Sequence, residues 1–254
     1  MTSYRKTALV AGVLYLITFI AIGTLTTYGP VLKDAGYVLS TGSDTGLRWG
    51  ALIEAIVALA GVGTAIALFP LVKRQSEAFA LGFVTTRVIE GGMILVGVVS
   101  VLTISSLHAA AGLPGADRAS IGTAGASLLA TYNATFLIGQ TLMPGMNALM
   151  LGYVMFRSRL VPRIIPTLGL IGGPLMISSV VGQFIGINEQ YSIWSGIALV
   201  PIFVWELSLG LWMTFKGFNP AAPILVVGNV DAAHRDSLPT GVGSQPVTPT
   251  AAQA

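Results

Sequence analysis

The chain has 254 residues, 54% of them hydrophobic and only 9% charged, with a formal net charge of +3. Soluble domains carry about 25% charged residues, so this chain cannot cover a water-facing surface. Its apolar content equally excludes intrinsic disorder. The weak positive balance leaves no footprint for nucleic acid, and the absence of Cys removes disulfides, thiolate metal sites and cysteine nucleophiles.

A helix needs about 20 mostly apolar residues to cross about 30 Å of hydrocarbon. Six stretches qualify: about Thr7–Thr27, Trp49–Pro70, Ala78–Leu107, Ala124–Phe156, Ile164–Gly186 and Ser192–Phe215. The first follows Arg5 and Lys6 as a secretory signal would, but its apolar region is too long and TLTTYGP offers no small-x-small cleavage site. It is expected to be a retained signal anchor. The third and fourth exceed the minimum, which predicts tilt, a kink or extension into water. Pro144 marks the expected kink in the fourth.

Loop charges orient the bundle. With the N-terminus inside, the cytoplasmic segments hold Arg5, Lys6, Lys73, Arg74, Arg157, Arg159, Arg163, Lys216 and Arg235. The outer loops hold only Lys33, Arg48 and Arg118, a positive-inside bias that places both termini in the cytoplasm. Tyr28, Tyr37, Trp49 and Trp194 at outer ends and Trp212 near an inner end fit interfacial anchors. Residues 1–216 therefore form the bundle. Residues 217–254, rich in Pro, Gly, Ala and Thr, are expected to be a flexible cytoplasmic tail whose one apolar run, Ile224–Gly228, is too short to span. A faint echo links ALFPLVKRQSEAFALG with YVMFRSRLVPRIIPTLG, but positive-inside topology produces such echoes without duplication.

Ionisable residues inside the spans are the informative ones: Glu54, Arg87, Glu90 and Glu206. Each costs about 2.5 to 3.5 kcal/mol at mid-membrane on insertion scales, so each should face the bundle interior and find a partner. At about 1.5 Å of rise per residue, Arg87, Glu206 and Asn147 lie roughly 14 Å above the inner ends of their spans. Glu90 lies roughly 18 Å up, and Glu54 and Gln140 roughly 24 Å. This predicts an Arg–Glu layer near the midplane, with Arg87 paired to Glu206 across the bundle and to Glu90 at i+3. A Glu–Gln layer is expected above it. Three acids against one Arg predict that one Glu is protonated at neutral pH, and Glu54, farthest from Arg87, is the best placed. The same residues equally suit a purely structural role in fixing helix register.

Weaker signals remain. Gly169–Gly173 and Gly182–Gly186 are GxxxG spacings, read here as close helix packing. Pro166 and Pro174 suggest distortion of that span. His108 stands alone near an outer end and is expected to be interfacial. Ser105 and Ser106 with His108 and Asp117 have a hydrolase's residue types but no nucleophile elbow. Tyr132, Asn133 and Gln140 give the fourth span a partly polar face, while Met143, Met146 and Met150 fit ordinary packing better than a cavity lining.

The segment RWGALIEAIVALAGVGTAIALFPLVKRQSEAFALGFVTTRVIEGG, from Arg48 to Gly92, resembles the bacterial membrane family catalogued as domain of unknown function 4386. The matching positions are Arg48, Glu54, Ala67 to Pro70, Leu71, Glu77, Arg87 and Glu90. LMLGYVMFRSRLVPRIIPTLGLIGG (Leu149 to Gly173) is similar to the family's second signature, and AGVLYLITFIAIG (Ala11 to Gly23) to its usual start. The resemblance implies a multi-helix integral membrane protein and no established activity, substrate or cofactor.

The sequence thus predicts an all-α polytopic transmembrane bundle of six spans in a bacterial-type plasma membrane, needing no cofactor or metal. The bilayer is its expected partner. Its function is read as small-molecule binding or transport, with Glu54, Arg87, Glu90, Glu206, Gln140 and Asn147 as the ligand or proton site and a small amphipathic molecule as ligand. The rival readings are a membrane scaffold or accessory subunit and, last, an intramembrane enzyme acting on a lipid or isoprenoid.

Overall fold

The computed structural model describes residues 3–34 and 36–226. Their regular structure is all helical, with no strand among the described residues. Helix α1 (Ser3–Thr18) continues through a tight 3-10 segment, Phe19–Gly23. Short helices α2 (Thr24–Thr27) and α3 (Gly29–Lys33) and a 3-10 turn at Tyr37–Leu39 lead to the long helices α4 (Thr45–Val72) and α5 (Glu77–Ala111). Helix α6 (Arg118–Phe136) passes through a π-helical turn, Leu137–Leu142, directly into α7 (Met143–Ser158). Helices α8 (Ile164–Phe184) and α9 (Ile193–Phe215) complete the bundle.

Six helical rods are long and apolar enough to cross a membrane: Ser3–Gly23, Thr45–Val72, Glu77–Ala111, Arg118–Ser158, Ile164–Phe184 and Ile193–Phe215. The protein is a multi-pass helical membrane protein. The fourth rod has 41 residues, about twice the length needed to cross the hydrocarbon, and is longer at both ends than its apolar stretch. Pro144 explains its irregularity. It has no N–H to donate and its ring crowds the carbonyl four residues back, so the turn just before it widens into the π form.

The helices close a circuit. Helix α1 packs between α4 and α9, α4 on α5, α5 on α7, α7 on α8 and α8 on α9; α6 lies against α5 outside the ring. Small residues mark the close helix contacts: α1 buries Ala8, Ala11 and Gly12 together with Tyr15 at helical spacing, and larger side chains such as Phe83, Leu151 and Trp205 fill the interior between helices. Large aliphatics such as Leu59, Ile66, Val99 and Ile164 face outward, because lipid is as good a solvent for them as another helix and small residues let backbones approach.

The two GxxxG spacings differ. Gly169 lies against the Trp205 indole of α9, where an added Cβ would sit 2.8 Å from the ring. Gly186 is beyond the end of α8 with a left-handed φ of 75°, so the second spacing ends in a turn and is not a packing surface.

Packed chain continues past residue 216. Asn219 N donates to the Leu160 carbonyl at 2.9 Å, and Phe218, Ala222 and Leu225 are buried against the bundle. The apolar run starting at Ile224 thus has its first residues on the protein. Residues 227–254, where the rest of the expected tail falls, lie outside the described residues.

Candidate functional site

Arg87 stands on the inner face of α5 with its side chain only 2% exposed. It needs that company because a bare guanidinium in a low-dielectric interior is costly. Nη2 donates to Glu206 Oε1 of α9 at 2.8 Å and to the Tyr15 hydroxyl of α1 at 2.9 Å. Nη1 donates to both carboxylate oxygens of Glu90, at 3.1 Å each, one turn along the same helix. The guanidinium carbon also lies 5.0 Å from the Tyr15 ring centroid and 5.8 Å from that of Phe83, within cation–π range. Asn147 of α7 donates from Nδ2 to Glu90, and its Oδ1 accepts from the Thr86 hydroxyl. One layer therefore ties α1, α5, α7 and α9 together at the centre of the ring. Arg87 Nε is buried with no hydrogen-bond partner among the described residues.

A second layer surrounds Glu54 of α4, which is buried. Its Oε1 accepts from the Tyr132 hydroxyl of α6 at 3.0 Å and from Gln140 Nε2 at 3.3 Å, and its Oε2 accepts from the Tyr28 hydroxyl at 3.3 Å. Gln140 belongs to the widened turn before Pro144, so the irregular stretch of the fourth rod is also the one that supplies a donor here. The Tyr28 and Tyr132 rings meet edge to face, with centroids 5.6 Å apart. Among the described residues no cation lies within ion-pair distance of Glu54.

Depth matching puts Arg87, Glu206 and Asn147 at one level and Glu54 with Gln140, the i+3 spacing adds Glu90 to Arg87, and these side chains meet in the structure. Sequence reasoning placed Tyr132 on a polar face with Gln140 but gave it no partner, and it missed Tyr15 and Tyr28. Tyr15 was hidden in an apolar run, where its ring satisfies any hydropathy scale and its hydroxyl does not register. Tyr28 was expected to be an outer interfacial anchor. It is buried instead, because Gly50 of α4 leaves space where a Cβ would collide with its ring.

At the Glu54 end of the bundle a third polar group closes the loop over α5. Asp44 Oδ1 accepts from the Tyr37 hydroxyl at 2.8 Å, and Oδ2 accepts from Ser105 Oγ at 3.0 Å and lies 3.0 Å from His108 Nδ1. Arg48 Nε donates to Ser105 Oγ, and the His108 ring stacks on Tyr37. Burial and the Asp44 carboxylate push the Tyr37 hydroxyl up to about 12, so it remains a donor at physiological pH. A cavity of about 480 Å³ opens beside this group. No hydrolase triad is assembled here. Ser105 and His108 both turn to Asp44, and Asp117 instead caps α6 by accepting from the Ser120 amide. His108 is thus a loop clasp and more than the lone interfacial residue expected. Among the described residues no group of three or more His, Cys, Asp or Glu could hold a metal ion.

No curated protein and no solved structure matches the chain. The family model described as Domain of unknown function (DUF4386) matches residues 10–217, which takes in both polar layers, most of the first membrane-crossing rod and all of the other five. The chain belongs to this family.

Proposed function

We propose that the protein binds, and passes or carries, a small amphipathic molecule that brings positive charge or a proton to the buried carboxylates. The observation that carries this reading is a charge count. The two buried layers hold three carboxyl groups, Glu54, Glu90 and Glu206, and one guanidinium, that of Arg87, which bonds Glu90 and Glu206 and leaves Glu54 with neutral donors. Isolated charges in hydrocarbon mark ion and substrate pathways more often than they mark packing. Glu90 and Glu206 also retain 12% and 18% exposure, which gives a ligand or a proton a place to reach them. The π turn supplying Gln140 supports the reading too, since such widened turns recur at functional sites. The setting we propose is a bacterial-type plasma membrane with both termini cytoplasmic, a reading that rests on the concentration of Lys and Arg at the N-terminal end of the bundle.

One observation favours the rival scaffold reading: apart from Arg87 Nε, the fully buried polar side-chain atoms of the two layers already have hydrogen-bond partners among the described residues. A scaffold needs saturation, whereas a binding site trades some of its internal bonds for the ligand's. The experiment that separates them is thermal unfolding of detergent-purified protein against a panel of small organic amines, monovalent cations and proton concentrations. It is run on wild type and on Glu54→Gln, Glu90→Gln and Glu206→Gln. Stabilisation by one cation class that is lost in a well-folded Glu→Gln variant supports binding. Uniformly lower stability, with no ligand response in any protein, makes the layers scaffold.

A further inference from the structure

A separate site lies at the opposite end of the bundle from the Asp44 cluster. Just past the end of helix α7, Arg159 takes a left-handed φ of 56°, and the chain turns through Val161 and Pro162 into α8. The segment after α9 folds back over this turn, held by Asn219 N on the Leu160 carbonyl at 2.9 Å and Asn219 Nδ2 on the Arg159 carbonyl at 3.3 Å. The fold-back leaves a groove of about 640 Å³. Arg159, Arg163 and Lys216 line it together with Trp212 and Phe218.

Two properties define what fits. First, the three cations have no acidic partner among the described residues. Arg163 is held over the Phe156 ring, its guanidinium carbon 4.9 Å from the centroid, which fixes its position without using its charge. With Arg5, Lys6, Lys73, Arg74 and Arg157 at the same end, Glu77 is the only acid there among the described residues. Second, the groove sits where α7 and α9 stop and α8 starts, the level of the membrane–water boundary. The helix ends framing it carry Ile164 and Phe215, which are 74% and 71% exposed. Trp212, half-buried in the wall, is the residue type that settles at that boundary. A ligand here meets concentrated positive charge on one side and apolar surface continuous with the lipid on the other.

We propose that this groove binds an anionic phospholipid of the adjoining leaflet, its phosphate among Arg159, Arg163 and Lys216 and its glycerol and upper acyl chain along Trp212. Basic pockets between transmembrane helices take such head groups in this way. The site is independent of the polar core and of the role proposed for it.

The test is equilibrium titration of the full-length protein, in neutral detergent, with a fluorescent-tailed phosphatidylglycerol. Phosphatidylcholine and inorganic phosphate serve as competitors. Wild type is expected to prefer phosphatidylglycerol over phosphatidylcholine by roughly tenfold or more. Arg159→Ala, Arg163→Ala and Lys216→Ala combined should abolish the preference, while Lys73→Ala, Arg74→Ala and Arg157→Ala, an equal charge change at the same end, should retain it. These groove side chains make no hydrogen bond within the described structure, so folding should survive. If the triple variant still fails to fold, Arg163→Glu alone decides: a lost preference supports the site and an unchanged one overturns it. Equal loss in both triple variants would reduce the effect to general surface charge and overturn the site. So would displacement of the lipid by inorganic phosphate, which would make this a free-phosphate site.

Discussion

The two buried layers solve the same problem by different chemistry. Around Arg87, charge meets charge: a guanidinium holds two carboxylates from α5 and α9 and a tyrosine from α1. Around Glu54, a carboxyl group meets only neutral donors, two tyrosines and a glutamine. The difference teaches where each layer is vulnerable. Removing a member of the first leaves an uncompensated charge in a low-dielectric interior, which is far costlier than losing one hydrogen bond. Removing a donor from the second leaves the remaining two in place.

The largest effect should come from Arg87→Met. It strands Glu90 and Glu206 side by side, and a loss of about 3 to 5 kcal/mol is expected for breaking such a buried ion pair. Adding Glu206→Gln should recover part of that loss, measured as the unfolding midpoint in detergent; no recovery would mean that Arg87 acts mainly through its aromatic contacts.

Gly12→Ala should come next. Gly12 lies one turn before Tyr15, and an added Cβ there would sit 2.6 Å from the Thr214 amide nitrogen and 2.9 Å from the Gly210 carbonyl of α9. Pushing α1 from α9 is expected to cost about 1 to 3 kcal/mol by overpacking. It should also loosen the Arg87 layer while sparing Glu54, so hydrogen exchange should rise around Glu206 and not around Tyr132.

Tyr132→Phe keeps the ring and removes one donor to Glu54, for an expected loss of about 1 to 2 kcal/mol. A loss as large as that of Arg87→Met would erase the distinction between the layers.

The smallest effect should follow Asp117→Ala at the start of α6, the helix that carries Tyr132. Hydrogen bonds from the Ser120 hydroxyl and amide hold the Asp117 carboxyl below its usual range. Its contribution is therefore present above the ordinary carboxylate pKa and is lost as pH falls through the lowered value. Wild type and variant should differ slightly at neutral pH and converge in strong acid. A gap that widens in acid would contradict the capping role.

Much of this architecture was legible because lipid imposes strict rules on a sequence. The number of rods follows from run length, since every backbone polar group in hydrocarbon must be paired within a helix. The Arg87 and Glu54 groupings follow from rise per residue, because ionisable groups at one depth in a narrow bundle have few partners other than each other. Which way each helix turns was not legible. Helix α4 is apolar on all sides, and Leu59 and Ile66 face out while Ala58 and Ala65 face in, an order that no hydropathy pattern reveals. The roles of Tyr15 and Tyr28 as donors were invisible for the same reason, and that of Tyr132 showed only as part of a polar face: a ring that suits lipid gives no sign of where its hydroxyl points.

The sequence by itself determined that this is a six-rod membrane bundle, that its charges lie in two layers, and that its basic residues crowd one end. Run length, depth and loop charge are properties of a chain read along one axis. Only the tertiary structure decided that Tyr15, Tyr28 and Tyr132 complete those layers, that Asp44 and not Asp117 meets His108, and that the chain beyond α9 folds back to build a groove. Each of these depends on rotation about the helix axes or on contacts between segments far apart in sequence. Small residues such as Gly12, Gly50 and Gly169 set those rotations by permitting close approach, and they exert that influence only once the helices are side by side.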